Sequence, residues 1–438
     1  MNNTASLRRI DPARIAAGFP ARRIATILSA LLLTVVIVSF RPFQPAGSPV
    51  DAGGGDLVNQ LGFGTLGGLA MLSLLCFVDR RVLTALLSPW WLIMIGFLAL
   101  SVMNATDPSS ALRAAMFTVI GIMTVAAVLT LPRDAESFSA AVAFAGLVTV
   151  GLCYAGLIVF PMEAIHSADS VEPEHAGFWR GAFSHKNIAG PVMACYAFSG
   201  LYLWRRGWRS LGALLFLAAM AFMINTGSKT TAGLVPLSIL LVTLPALVGM
   251  RWLTPLLFTL AVVGTALGTL GIVFLEPIAE FAAAHFPDMT FTGRTALWEF
   301  SGEMIAKRPW TGYGYESFWG TPFLSSMDQP FDRDWDIRGI VHGHNGYLDI
   351  AVIMGLPALA AAVIAFLIVP MSDFARVGRG RENVLLADLF MMMLFFTALN
   401  AFLESFFFRR VDPVWMFFVM ATLGLRLVAR FPVATRVG

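Results

Sequence analysis

Four short strings in this chain concentrate the residue types that handle anions and protons. Arg180-Gly-Ala-Phe-Ser-His185-Lys186-Asn187 brings three potential cations and an amide to the mouth of an apolar run of helical length. A helix starting there points its positive end and its unpaired N–H groups at one spot, which favours an anion such as a phosphate or diphosphate. A polar loop at a membrane interface, with Lys186 snorkelling to water, has the same composition. Asn225-Thr-Gly-Ser-Lys229-Thr-Thr231 is a second such turn, and Lys229 is one of only three lysines in the sequence. Its glycine spacing is not that of a P-loop, so it reads either as an anion contact or as a turn with a solvated lysine. In Thr292-Gly-Arg294-Thr-Ala-Leu-Trp298 the arginine opens an amphipathic stretch. Leu297, Phe300, Met304 and Ile305 share one helical face, and Glu299, Glu303 and Lys307 share another. An arginine in that first turn can fork onto a phosphate through two parallel hydrogen bonds, cap its helix, or pair with a carboxylate.

The fourth string is His342-Gly-His344-Asn345-Gly-Tyr-Leu-Asp349. A histidine near its ordinary pKa is suited to take a proton from a hydroxyl, and Asn345 and Asp349 are placed to fix its tautomer. His-x-His is also a metal-binding spacing, but the chain has no HExxH and no third ligand beside the pair. Neither a metal nor a cofactor is expected. Gly312-Tyr-Gly-Tyr-Glu316-Ser-Phe-Trp319 offers aromatic faces for sugar rings, or a belt at a membrane interface. Asp388 and Glu404 stand near the ends of an apolar run and call for no proton relay.

The elements that must position these strings are membrane spans. The chain has 438 residues, of which 57% are hydrophobic and only 13% charged, with a formal net charge of +3. That balance excludes a disordered chain, a disulfide scaffold and a cytosolic enzyme, and no nucleic-acid partner is expected. Apolar runs of spanning length fall near 24–40, 57–78, 86–103, 114–131, 138–160, 188–204, 210–226, 231–249, 253–275, 346–369, 384–405 and 414–428. The expected fold is therefore an all-α polytopic membrane protein, a single domain over 1–438 with about twelve transmembrane helices. The first run follows Arg8, Arg9, Arg14, Arg22 and Arg23 without a small-x-small cleavage pattern, so it reads as an uncleaved anchor. Alternating the loops puts 18 of the 30 Lys and Arg on the N-terminal side, which the positive-inside rule makes cytoplasmic. The opposite side carries two long segments, 162–187 and 276–344, and these hold all six histidines. Near-neutrality overall thus conceals a basic inner face and an acidic outer one, against which the few outer cations stand out.

In this order and spacing the FxHKNxxG, GSKT, TGRTxLW, GYGxxxFW and HNGYLD strings resemble the O-antigen ligase/polymerase superfamily of bacterial envelope enzymes, in particular exopolysaccharide polymerases of the ExoQ type. The resemblance implies a type C glycosyltransferase fold and metal-independent transfer. The donor would be an oligosaccharide on undecaprenyl diphosphate, polymerised at the periplasmic face of the inner membrane. It also implies membrane lipid, chain-length regulator and export proteins as partners. The family's roles fall here on His344 at the acceptor and on Arg294 and Lys229 at the diphosphate. Arg180 and Lys186 join that clamp by position, and His185, Asn187, His342, Asn345, Asp349 and Trp298 support the site. Ligases usually carry arginine at the place of Lys229, which tilts the reading from ligase toward polymerase. The alternatives are an O-antigen ligase with lipid A–core as acceptor, and a lipid-linked oligosaccharide flippase, which would place polar residues deep in several spans.

Overall fold

A computed structural model of the chain describes residues 12–44, 56–168, 173–285, 291–328 and 336–436, with side chains from residue 21 onward except at Thr292. Arg8 and Arg9 lie outside these residues. The helices in chain order are α1 (Pro12–Val38), α2 (Leu57–Phe77), α3 (Arg80–Leu86), α4 (Pro89–Met103), α5 (Pro108–Thr130), α6 (Ala135–Val159), α7 (Lys186–Arg206), α8 (Arg209–Asn225), α9 (Lys229–Leu247), α10 (Leu253–Phe274), α11 (Glu276–His285), α12 (Arg294–Lys307), α13 (Gly346–Met354), α14 (Leu356–Ala375), α15 (Arg381–Asn400) and α16 (Pro413–Arg430). The extended backbone among the described residues is a single bridge between Ile165 and Trp179. Helix starts follow a local code. Asp56, Asp79, Asp107, Asp134 and Asp412 each accept a backbone N–H from the first turn of α2, α3, α5, α6 and α16, satisfying donors that a helix leaves open.

Among the described residues nine helices are long and apolar enough to cross a membrane, and the α3–α4 pair, bent by 61°, makes a tenth if it crosses as one. The sequence leads to twelve. The difference lies mainly at α7 and α8. The α8 helix is a short apolar one, and α7 is a polar-ended helix buried along most of its length. A helix enclosed by protein needs no apolar surface for lipid, so its composition departs from that of a span. The two cross closely: a Cβ on Gly200 would lie 2.5 Å from the Phe216 nitrogen, and one on Gly212 would strike the Trp204 nitrogen. Small residues at such a crossing let the backbones meet. The core runs through α15, 94% of whose spanning stretch is buried, whereas α10 is 17% buried and lines the periphery.

The inner arginines of the sequence reading meet at one end of the bundle. Asp388 of α15, fully buried, receives Arg205 at 2.9 Å and Arg251 at 2.8 Å. Arg206 joins Glu136 at 2.6 Å and Glu382 at 3.1 Å. Arg22 pairs with Asp134, and Arg430 with Asp373, both at 2.9 Å. The histidine-bearing segments gather at the other end.

The expected span 346–369 divides. Gly355 takes φ 87° and ψ 168°, a region open essentially to glycine alone, and Pro357 stands just after it. The spanning helix begins at Leu356, and α13 is a separate short helix ahead of it. Its last carbonyls, Val352 and Ile353, accept the N–H groups of Tyr313 at 2.9 Å and Gly314 at 3.0 Å, while Leu356 donates to Pro309 at 2.8 Å. A Cβ at Gly355 would strike the Trp310 carbonyl. Gly355→Ala is therefore expected to lower the thermal midpoint of the purified protein, by strain of about 1–3 kcal/mol; an unchanged midpoint would show that the break is not fixed by this backbone.

Candidate functional site

Four helices begin near one another at the histidine-bearing end. α7 is capped by His185, whose Nδ1 accepts the Asn187 N–H at 3.1 Å. α13 is capped by Asn345, whose Oδ1 accepts Tyr347 and Leu348 N–H, each at 3.1 Å. α12 opens at Arg294 directly after left-handed Gly293, and α9 opens at Lys229. The turn ahead of α9 lies against α7. Trp179 N–H donates to the Asn225 carbonyl at 3.0 Å, and a Cβ on Gly190 would sit 3.1 Å from Thr226 Oγ1, 3.2 Å from Ser228 Cβ and 3.3 Å from Thr231 Oγ1. The positive ends of these helices add to the charge of the cations they carry.

One carboxylate joins three of the four. Glu404, in the turn between α15 and α16, accepts Arg294 Nη2 at 3.0 Å and Asn187 Nδ2 at 3.0 Å on Oε1. Its Oε2 stands 3.5 Å from His344 Nδ1, an electrostatic approach longer than an ordinary hydrogen bond. The same turn holds α13: Gly346 N–H donates to the Ala401 carbonyl at 2.8 Å and to the Glu404 carbonyl at 3.2 Å. Asn345 N–H meets Ser405 Oγ at 3.1 Å, and Asn345 Nδ2 meets the Phe402 carbonyl at 3.0 Å. The side chains of Arg294, His344 and Glu404 keep 22%, 31% and 16% exposure, so the cluster is walled but open to a ligand.

His344 takes φ 49°, a conformation uncommon for residues other than glycine and one met at functional positions. Its ring crosses that of His342 at a centroid distance of 4.0 Å. Burial holds the His342 imidazole far below its ordinary pKa, and the neighbouring charges of His344, Arg409, His185 and Arg294 push the same way, so His342 stays neutral at physiological pH. The sequence suggests Asn345 and Asp349 as the groups that orient the histidines; the structure commits both elsewhere. Asp349 Oδ1 accepts Trp319 Nε1 at 2.7 Å and Gly343 N–H at 3.1 Å, and Asn345 is a helix cap. The acid facing His344 is Glu404. Trp298, fully buried, donates its indole N–H to the Gly343 carbonyl at 3.2 Å and so fixes the histidine loop.

The expected cations separate into two groups. Arg294 and Lys229 stand at helix starts, Lys229 exposed. Arg180 is 1% exposed and donates to the Gln44 carbonyl at 2.8 Å and the Ser184 carbonyl at 3.1 Å, which turns it into the wall of the 162–187 segment. Lys186 is buried with its Nζ 4.3 Å from the Phe178 ring centroid, a cation–π seat. Its backbone N–H donates to His166 Nε2 at 3.2 Å. The rings of His166, His175 and His185 lie 4.9–5.6 Å apart. Among the described residues no group of three or more His, Cys, Asp or Glu is placed to hold a metal ion.

Sequence reasoning missed Glu404 as the centre and Arg409 as a cation. Arg409 is exposed, donates to the Ser405 carbonyl at 3.1 Å and acts on His342. The available signal was an acid, Glu404, followed by Arg409 and Arg410 outside a span end.

Residues 213–363 match the O-antigen ligase family (Wzy_C). That segment contains Lys229, Arg294, Trp298, His342, His344, Asn345 and Asp349, and leaves out Arg180, His185, Lys186, Asn187 and Glu404. The chain is also similar to the exopolysaccharide production protein ExoQ of Rhizobium meliloti (strain 1021), 26% identical over 200 residues, which cover 41% of this chain and 43% of that protein. The aligned region thus spans less than half of that relative's length. Motif order, matched segment and all-helical multi-pass architecture agree, and over residues 213–363 the chain is similar to the O-antigen ligase family.

Proposed function

We propose that the chain is a glycosyltransferase of the bacterial inner membrane that polymerises undecaprenyl diphosphate-linked oligosaccharide units into exopolysaccharide at the periplasmic face. The observation that carries this reading is the convergence of a guanidinium and an imidazole on one carboxylate, Arg294 at 3.0 Å and His344 at 3.5 Å from Glu404, among helix N-termini. In the reaction the acceptor hydroxyl oxygen forms a bond to the anomeric carbon. The bond from that carbon to the diphosphate oxygen breaks, and its electron pair stays on the diphosphate. The hydroxyl proton passes to His344 Nε2, the ring nitrogen that does not face Glu404. Arg294 and Lys229, with the positive helix ends, take the charge that builds on the departing diphosphate, the kind of stabilisation that contributes most to such steps. Lys229 supplies a point charge rather than a fork. This chemistry calls on no metal. Arg180 and Lys186 are assigned to shaping the wall, because their charged groups are committed there. The buried arginine–carboxylate contacts of the opposite end join helices to one another, a structural use of charge that supports a transferase over a flippase.

A ligase that moves finished polymer to another lipid is the second reading, favoured by the description of the family matched over 213–363. The two differ in what accumulates. Arg294→Ala is expected to lower product by roughly 10²-fold or more while the protein still inserts and accumulates. Single lipid-linked units should build up in that strain. Unligated polymer would instead favour the ligase, and wild-type product would overturn both.

The His342 imidazole gives a pH signature. Its folded-state pKa lies below the unfolded value, so the stability it contributes is complete above about 6.5 and is lost as pH falls from there toward the depressed value. The thermal midpoint of the solubilised protein should fall on acidification through that window, and His342→Gln should flatten the fall. An equal slope in both proteins would remove His342 as its source.

A further inference from the structure

Among the described residues Glu404 is the acid paired with Arg294, and it holds a guanidinium nitrogen that a diphosphate could use. Oε1 holds Arg294 Nη2 and Asn187 Nδ2, each at 3.0 Å, while Oε2 remains 3.5 Å from His344 Nδ1. The carboxylate is therefore fully engaged with the anion-binding partners and only loosely with the imidazole. Contrast Asp388, fully buried between two arginines at 2.8 and 2.9 Å, where both carboxylate oxygens are taken and the acid itself is sealed from solvent. Arg294 meets Glu404 through a single nitrogen in a partly exposed setting, and such pairs are weak. A phosphate offers arginine a two-point contact and more charge.

We infer that Glu404 is an exchangeable counter-ion: the donor diphosphate displaces it from Arg294, and the released carboxylate closes onto His344 Nδ1, coupling donor binding to activation of the base. This rests on the transfer reaction proposed above. Before the donor arrives, Glu404 neutralises Arg294 beside the starts of α7 and α12, and His344 lacks a tight acceptor for its Nδ1 proton. After exchange, the carboxylate holds that proton, leaves Nε2 as the basic nitrogen, and stabilises the imidazolium formed when the acceptor hydroxyl is deprotonated. Glu404 touches neither donor nor acceptor, so it is a positioning residue. The turn that carries it also holds Asn345 and Gly346 through its backbone, so the side chain can exchange partners while the histidine loop stays in place.

The exchange predicts opposite effects on binding and turnover. Glu404→Gln in the full-length protein should bind undecaprenyl diphosphate and inorganic pyrophosphate about two- to fivefold more tightly than wild type, since a weak competing pair is lost. Polymer output in cells should fall by roughly 10²-fold, since the base loses its carboxylate. Glu404→Asp, with the carboxylate drawn back from both partners, should move both readouts the same way by less, and it carries the test if the glutamine variant does not accumulate. A purely structural role would weaken binding and output together, and that result overturns the exchange. Arg294→Ala separates the two levels. If it fails to bind either diphosphate while Glu404→Gln binds no tighter than wild type, the exchange is wrong and the diphosphate site stands. If Arg294→Ala binds both like wild type, the diphosphate site is wrong.

Discussion

A negative charge set where helix N-termini meet organises the histidine-bearing end of this protein. Without Glu404, Arg294, Asn187 and His344 at the starts of α12, α7 and α13 would lose the acid they share. With it, Arg294 and Asn187 share one oxygen and His344 approaches the other. Three helices far apart in sequence are thereby drawn together, and the fourth follows because its leading turn packs on α7 at Gly190. The backbone of the same turn caps the arrangement through Asn345 and Gly346.

The two ends of the bundle apply one rule to different purposes. At the arginine-rich end, guanidinium groups meet carboxylates that are buried, as at Asp388 and Glu382, and charges removed from solvent in this way persist only when paired. Those pairs fix the ends of α7, α15 and the chain's closing segment, where Arg206 also reaches the Thr435 carbonyl at 3.2 Å. At the histidine-bearing end the pairing is partial and open. Strength serves architecture at one end, and weakness leaves room for a ligand at the other.

The helices were legible in the sequence because crossing a membrane is a local demand. Each apolar run had to be helical, whereas the Asp caps that set where several helices start emerge only with the structure. The strings around His185, Lys229, Arg294 and His344 were legible for a similar reason: each places a polar residue at the start of a helix. What the sequence hid was non-local. Glu404 is separated by 217 positions from Asn187 and 110 from Arg294, so nothing in its own neighbourhood marks it as a centre. Arg180 carries the same charge whether it points to a ligand or to the carbonyls of Gln44 and Ser184, and only the fold decides. Hydropathy read straight through Gly355 because apolar residues continue on both sides, although the backbone changes course there. α7 has polar ends and small residues because protein covers most of it, a surrounding that the order of its residues does not show.

The most direct test is a structure of the full-length protein with undecaprenyl diphosphate bound. The diphosphate should lie between Arg294 and Lys229, within hydrogen-bonding distance of the Arg294 guanidinium, with the Glu404 carboxylate moved from that arginine to His344 Nδ1. A diphosphate bound away from Arg294, or one bound beside it with the Arg294–Glu404 contact intact, would contradict the central claim that this carboxylate holds the site in readiness for its donor.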